Sequence, residues 1–168
     1  GLDPSEPIIA LLPGSRRSEI EYIAPTLLQA ARRLAAQRTG LRFVLPVAPG
    51  LRSLVEPLVT VHGPAELVLL DGRSHEALAA CDLTLIASGT ATLEAALFKR
   101  PMVIGYRMHP LSWQIMKRMR YQPWVGLPNI LCREMVVPEL IQEQCTPQAL
   151  ADTALQMLDD SAGAERLR

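Results

Sequence analysis

The stretch that most constrains this chain is Asp82–Arg107, DLTLIASGTATLEAALFKRPMVIGYR. Leu83–Ala87 is a short apolar run, the pattern of a strand buried on both faces. Ser88-Gly89-Thr90 breaks the run. Ala91–Phe98 then carries good helix formers, with Leu93, Ala96 and Leu97 at helical spacing. Lys99-Arg100 places positive charge at the helix end, where the macrodipole favours it. Pro101 stops the helix, and Met102–Tyr106 reads as a second buried strand. One βαβ unit accounts for all of this.

Chemistry is expected at the turn. Ser88, Gly89 and Thr90 put backbone N–H groups and hydroxyls at a helix start, a ready seat for phosphate. Gly89 lets an anion come close to the backbone. Glu94 lies about one turn into the helix, where its carboxylate can accept two ribose hydroxyls. A plainer reading fits equally: Ser88 or Thr90 caps the helix and Glu94 is solvated.

A second strand–turn–helix opens the chain. Gly1–Pro7 reads as a linker, and Ile8–Leu12 as a buried strand ended by Pro13-Gly14-Ser15. A helical pattern runs on to Gln37, with Leu27, Leu28, Ala31 and Leu34 inward and Pro25 restarting the helix as an early residue. Arg16 at this turn can pair bidentately with a phosphate, or be an ordinary solvated arginine. Arg42–Pro46 reads as the next strand. No acid follows it, and the first turn lacks G-x-G-x-x-G, which counts against a nicotinamide dehydrogenase.

Leu51–Val61 reads as a helix, Glu66–Leu70 as a strand, and Ser74 as the cap of a helix through Ala80. His75 falls in the first turn of that helix, exposed or in reach of a ligand. The alternation predicts an α/β fold, a Rossmann-like doubly wound parallel sheet. Ligands of such sheets bind at the carboxyl ends of the strands, so the Gly14 and Gly89 turns can converge on a diphosphate.

After Tyr106 the texture changes. Pro110 starts a helix with Leu111, Ile115, Met116 and Met119 on one face and Lys117, Arg118 and Arg120 near its end. Trp113, Trp124 and Tyr121 lie close in sequence. Such a helix either packs with a solvated basic end or lies on an anionic lipid surface. Asn129 reads as a loop residue, serving a ligand or making an Asx-turn. Met135–Gln142 reads as helical. Thr146-Pro147 caps and starts a last helix through Leu158, and Asp159–Arg168 reads as a frayed tail.

Composition bounds the function. The 168 residues suffice for one domain with a real core, and 49% are hydrophobic. Basic and acidic residues number 17 each, so net charge gives no drive toward nucleic acid. Cys81, Cys132 and Cys145 lack metal-ligand spacing and read as free thiols of a reducing cytosol. No carboxylate–His cluster demands a metal, and no cofactor is expected. The apolar region 77–98 holds Asp82 and Glu94 and does not read as a membrane span. A start without Met, directly before a strand, reads as one domain excised from a longer protein.

The strings LLPGSRRSEIE, LLDG, ASGTATLEAALFKRPMVIGYRM and LPNIL occur in this order. Together they resemble the carboxy-terminal half of the lipid-A-disaccharide synthase family, over roughly residues 8–158. The resemblance implies the donor-nucleotide domain of a two-domain GT-B glycosyltransferase. That family transfers 2,3-diacylglucosamine from UDP-2,3-diacylglucosamine to 2,3-diacylglucosamine 1-phosphate, with inversion, to give a β-1,6 disaccharide.

By this resemblance Gly14, Ser15 and Arg16 form the first donor loop. Ser88, Gly89 and Thr90 form the second phosphate turn. Glu94 binds ribose hydroxyls, Asn129 lies in a Pro-Asn loop near the donor, and Tyr106 and Arg107 lie where uracil contacts are sought. The amino-terminal acceptor domain is absent, and the general base is expected there, so this chain should bind UDP without turning over alone. A cytoplasmic protein, peripheral on the inner membrane, is the implied setting. Two other readings stay open: a UDP-sugar epimerase-type domain, which shares the architecture, and a non-catalytic nucleotide-binding module.

Overall fold

The computed structural model describes residues 6–119 and 123–160. Most of the linker, Arg120, Tyr121 and the tail beyond Asp160 lie outside the described residues.

Six strands pair in parallel: β1 (Ile8–Leu12), β2 (Arg42–Val47), β3 (Leu67–Asp71), β4 (Leu83–Ala87), β5 (Met102–Tyr106) and β6 (Glu139–Ile141). Their order is β3-β2-β1-β4-β5-β6. The order reverses at β1, whose neighbours are β2 and β4. Ile9 registers with Phe43 on one side and with Leu83 on the other. This is the doubly wound arrangement expected, with its switch point between β1 and β4.

Both faces of the sheet are covered, which is why β1 and β4 read as continuous apolar runs. Ile9, Leu11, Leu83 and Leu85 face α1 (Arg17–Gln37), α2 (Arg52–His62) and α7 (Pro147–Asp159). Ala10, Leu12, Ile86 and Ile104 face α3 (Ser74–Ala80) and α4 (Ala91–Leu97). Pro46 lies past Val44, the last residue of β2 registered with β1, so its missing N–H interrupts no ladder on that side.

Local readings differ in instructive places. Pro25 does not restart α1; it sits inside one continuous helix. A proline there costs about 3 kcal/mol. Ile20, Ile23, Leu27, Leu28 and Leu34 are all essentially buried along the same helix, and each such side chain contributes about 1.5–3 kcal/mol. Packing wins. Ser74 is the first residue of α3 rather than its cap, and no side chain caps that helix. In α4 the buried face is Thr92 and Ala95; Leu97 is 83% exposed.

The largest differences lie after β5. Asn129, read as a loop residue, lies in helix α6 (Leu127–Cys132), with Pro128 in its first turn. Met135–Gln142 is not helical. It supplies β6, which adds to the sheet edge as Gly105 registers with Leu140, and runs into a 3-10 turn at Gln142–Gln144. Pro138 explains this, because the residue before a proline is pushed toward extended backbone. Helix α5 (Pro110–Met119) forms as expected, yet buries none of its residues. Thr146 caps α7, its Oγ1 accepting from the Ala149 amide at 3.1 Å.

Candidate functional site

The carboxyl ends of β1, β2 and β4 surround a cavity of about 410 Å³ at the switch point. Gly14, Ser15 and Arg16 line it from the turn after β1. Ser88, Gly89, Thr90 and Glu94 line it from the β4 turn and α4. Pro46, Val47, Ala48, Pro49 and Gly72 close it from the ends of β2 and β3. Seven of the expected site residues, from two separate segments, therefore share one cavity.

Both turns depend on glycine. Gly14 has φ 105° and Gly89 φ 149°, conformations that side chains disfavour. At Gly14 an added Cβ would also meet the Glu19 side chain, whose carboxylate would have to move. That carboxylate is the site residue that sequence reading missed. It accepts from the Ser15 amide at 3.1 Å and the Arg16 amide at 3.2 Å. The first-turn amides expected to await phosphate thus already hold an internal anion at the amino end of α1. The usual signal for this arrangement is a small polar residue three positions before the Glu. Arg16 stands there instead, so no such signal exists. The Arg16 guanidinium lies 3.7 Å from Glu19 and is 81% exposed.

The second turn differs from the capping reading. The Ser88 hydroxyl donates to the Val125 carbonyl at 2.7 Å, which ties the turn to the segment before α6. Thr92, not Thr90, bonds back into the turn, donating to the Gly89 carbonyl at 2.6 Å.

Tyr106 and Arg107 line a second cavity of about 340 Å³, together with Gly105, Met108 and His109. Arg16, Glu19, Ala87 and Ser88 line both cavities and form the partition. Tyr106 and Arg107 are thus across this partition from Glu94. The Tyr106 hydroxyl points at the sulfurs of Met108 and Met116, at 3.8 and 3.7 Å. Burial, and then the Glu19 carboxylate, push its pKa up, so it stays a neutral phenol. Arg107 donates to the Thr26 hydroxyl at 3.3 Å.

Asn129 lines neither of these cavities. It is fully buried in α6. Its Oδ1 accepts from the Val136 and Val137 amides, and its Nδ2 donates to the Val137 carbonyl and to Glu139. Glu139, also buried, accepts in addition from the Val125 and Gly126 amides. Every polar group of the Asn129 amide is spent inside the protein. The pair locks α6 against β6 and holds Val125, on which Ser88 hangs.

Among the described residues, no group of three or more His, Cys, Asp or Glu could hold a metal, and no helix is long and apolar enough to cross a membrane.

Sheet order, switch-point cavity and paired glycine turns define a Rossmann-like, doubly wound domain of GT-B-type fold. Solved structures share this fold. A spinosyn rhamnosyltransferase complexed with thymidine diphosphate superposes with TM-score 0.65 at 17% identity, over 97% of this chain and 40% of that one. A UDP-GlcNAc 2-epimerase from Neisseria meningitidis, bound to UDP-GlcNAc, gives 0.66 at 13%, over 98% and 40%. At such identities the likeness shows the fold alone. The sequence is far more specific: the chain belongs to the lipid-A-disaccharide synthetase family, whose family model matches residues 1–167. The lipid-A-disaccharide synthase of Verminephrobacter eiseniae (strain EF01-2) is 56% identical over 160 residues, 95% of this chain and 41% of that protein. The chain spans about two fifths of the length of the curated relatives it matches.

Proposed function

We propose that this chain is the single donor-binding domain of a lipid-A-disaccharide synthase, and that it holds the UDP of UDP-2,3-diacylglucosamine in the switch-point cavity. The observation that carries this reading is the convergence of both glycine turns, Arg16 and Glu94 on one cavity. The diphosphate lies between the Gly14–Arg16 and Gly89–Thr90 turns. Glu94 accepts from the ribose hydroxyls. The base extends toward Pro46–Pro49 and Gly72, where apolar side chains and backbone groups meet. This moves Tyr106 and Arg107 from the base to the sugar end of the donor, since they lie across the Arg16–Glu19 partition.

In an inverting transfer the acceptor hydroxyl attacks the sugar as the bond to the diphosphate breaks. Arg16 stabilises charge developing on the leaving diphosphate. The base that takes the acceptor proton comes from the other domain of the parent protein, so this chain binds donor without turning over alone. An epimerase-type domain would instead return an isomer of the donor sugar, and product analysis of the intact enzyme separates the two.

Helix α5 supports a peripheral place on the cytoplasmic face of an anionic inner membrane. Leu111, Ile115 and Met119 are 71%, 62% and 73% exposed, with Lys117 and Arg118 in the last turn. Replacing Lys117 and Arg118 with Ser should reduce sedimentation with anionic vesicles; unchanged sedimentation would remove this part of the proposal.

The site itself is tested by Arg16→Ala. Loss of a charge-assisted hydrogen bond should weaken UDP by about 1.5–3 kcal/mol. Unaltered UDP affinity would return Arg16 to an ordinary surface residue.

A further inference from the structure

His75 stands outside the cavity, yet it touches the residue given to ribose. Its Nε2 lies 3.4 Å from Glu94 Oε2, and its ring packs on Phe98 with centroids 5.8 Å apart. Glu94 and Phe98 are four residues apart, so one face of α4 presents a carboxylate and an aromatic edge to the same imidazole. His75 comes from α3, which follows β3. Strands β3 and β4 are separated in the sheet by β2 and β1. The contact therefore bridges two helices that are not joined by neighbouring strands, beside the cavity. The Glu94 side chain is 41% exposed, and the His75 ring stands against its Oε2.

We propose that His75 is a positioning residue. It holds one oxygen of Glu94 on the α3 side and leaves the other directed to the vicinal hydroxyls of a ribonucleoside diphosphate. This rests on the assignment of Glu94 to ribose made above. A glutamate has three side-chain torsions, and a carboxylate already held at one oxygen loses less freedom when it meets the diol. His75 contributes through Glu94 alone, so its effect appears on ligands that carry both hydroxyls.

The test compares UDP with 2′-deoxy-UDP on the wild-type chain, His75→Phe, His75→Gln and Glu94→Ala. His75→Phe keeps a ring against Phe98 and removes the donor; His75→Gln keeps a donor at similar reach. For the wild type, UDP should bind about tenfold more tightly than the deoxy analogue, as loss of one hydrogen bond to a charged group implies. His75→Phe should shrink that preference about threefold or more by weakening UDP alone, and His75→Gln should restore most of it. In the Glu94→Ala background His75→Phe should add nothing. A purely structural role would weaken both ligands equally and be visible in thermal unfolding without ligand. An unchanged preference in His75→Phe, or equal weakening of both ligands, overturns the proposal. A wild type that binds UDP but does not prefer it to the deoxy analogue overturns the ribose assignment of Glu94 as well. A wild type that binds neither overturns the nucleotide reading as a whole.

Discussion

Glu19 carries two opposed duties at one position. Its carboxylate satisfies the Ser15 and Arg16 amides and complements the positive end of α1. The same negative charge stands on the partition beside which a diphosphate must lie. Glu19→Gln keeps an acceptor for the amides and removes the charge. The variant should bind UDP several-fold more tightly and lose about 0.3–1 kcal/mol of stability. Calorimetric titration and thermal unfolding read the two effects separately, and tighter binding with no loss of stability would contradict the capping role. Such a residue was illegible because Arg16, rather than Ser or Thr, stands at the N-cap position of its capping box. By contrast the turns at Gly14 and Gly89 were legible, since glycines after apolar strands leave few alternatives.

Among the elements, α6 and β6 were the ones misread, and the Asn129–Glu139 pair shows why. Neither Leu127–Cys132 nor Glu139–Ile141 is long enough to announce itself by periodicity. They exist because one buried amide and one buried carboxylate satisfy four backbone amides and a carbonyl between them. Asn129→Ala removes the partner of the Val136 and Val137 amides and of the Val137 carbonyl and should cost about 3 kcal/mol or more. Urea unfolding should show the loss as a lower midpoint at constant slope. A loss under 1 kcal/mol would mean that water replaces the amide. The Ser88 turn hangs on Val125, so UDP affinity should fall as well, although Asn129 touches neither cavity. Strands β1, β4 and β5, in contrast, were read to the residue, because a strand covered on both faces cannot hide its apolar run.

At the scale of the molecule, the two helical layers keep the sheet dry, and two thiols report it. Burial pushes the Cys81 thiol up to about 12 and that of Cys145 up to about 11. Cys132 is exposed. In the unfolded chain thiols ionise near their ordinary value of 9.0. Above that pH the unfolded chain gives up protons that the native protein keeps. Stability is therefore complete below about pH 8 and falls as pH rises from about 9 toward 11. Urea unfolding at pH 7, 9 and 10.5 checks the slope, and replacing Cys81 and Cys145 with Ala should flatten it. Stability rising across that range would contradict the burial of both groups. The overall topology was legible from alternating strands and helices. The division into two cavities was not, since it depends on where Arg16 and Glu19 turn in space.

The central claim is that a uridine diphosphate fills the switch-point cavity. The most direct test is an amide-resolved NMR titration of the chain with UDP, with UMP and ADP as controls. UDP should bind most tightly and shift the amides of Gly14, Ser15, Gly89 and Thr90, with smaller shifts at Gly72 and Glu94. At about 100 times its dissociation constant it should also stabilise the fold by about 2.7 kcal/mol. Saturable binding that leaves both glycine turns unmoved, or no preference for UDP over UMP, would contradict the account.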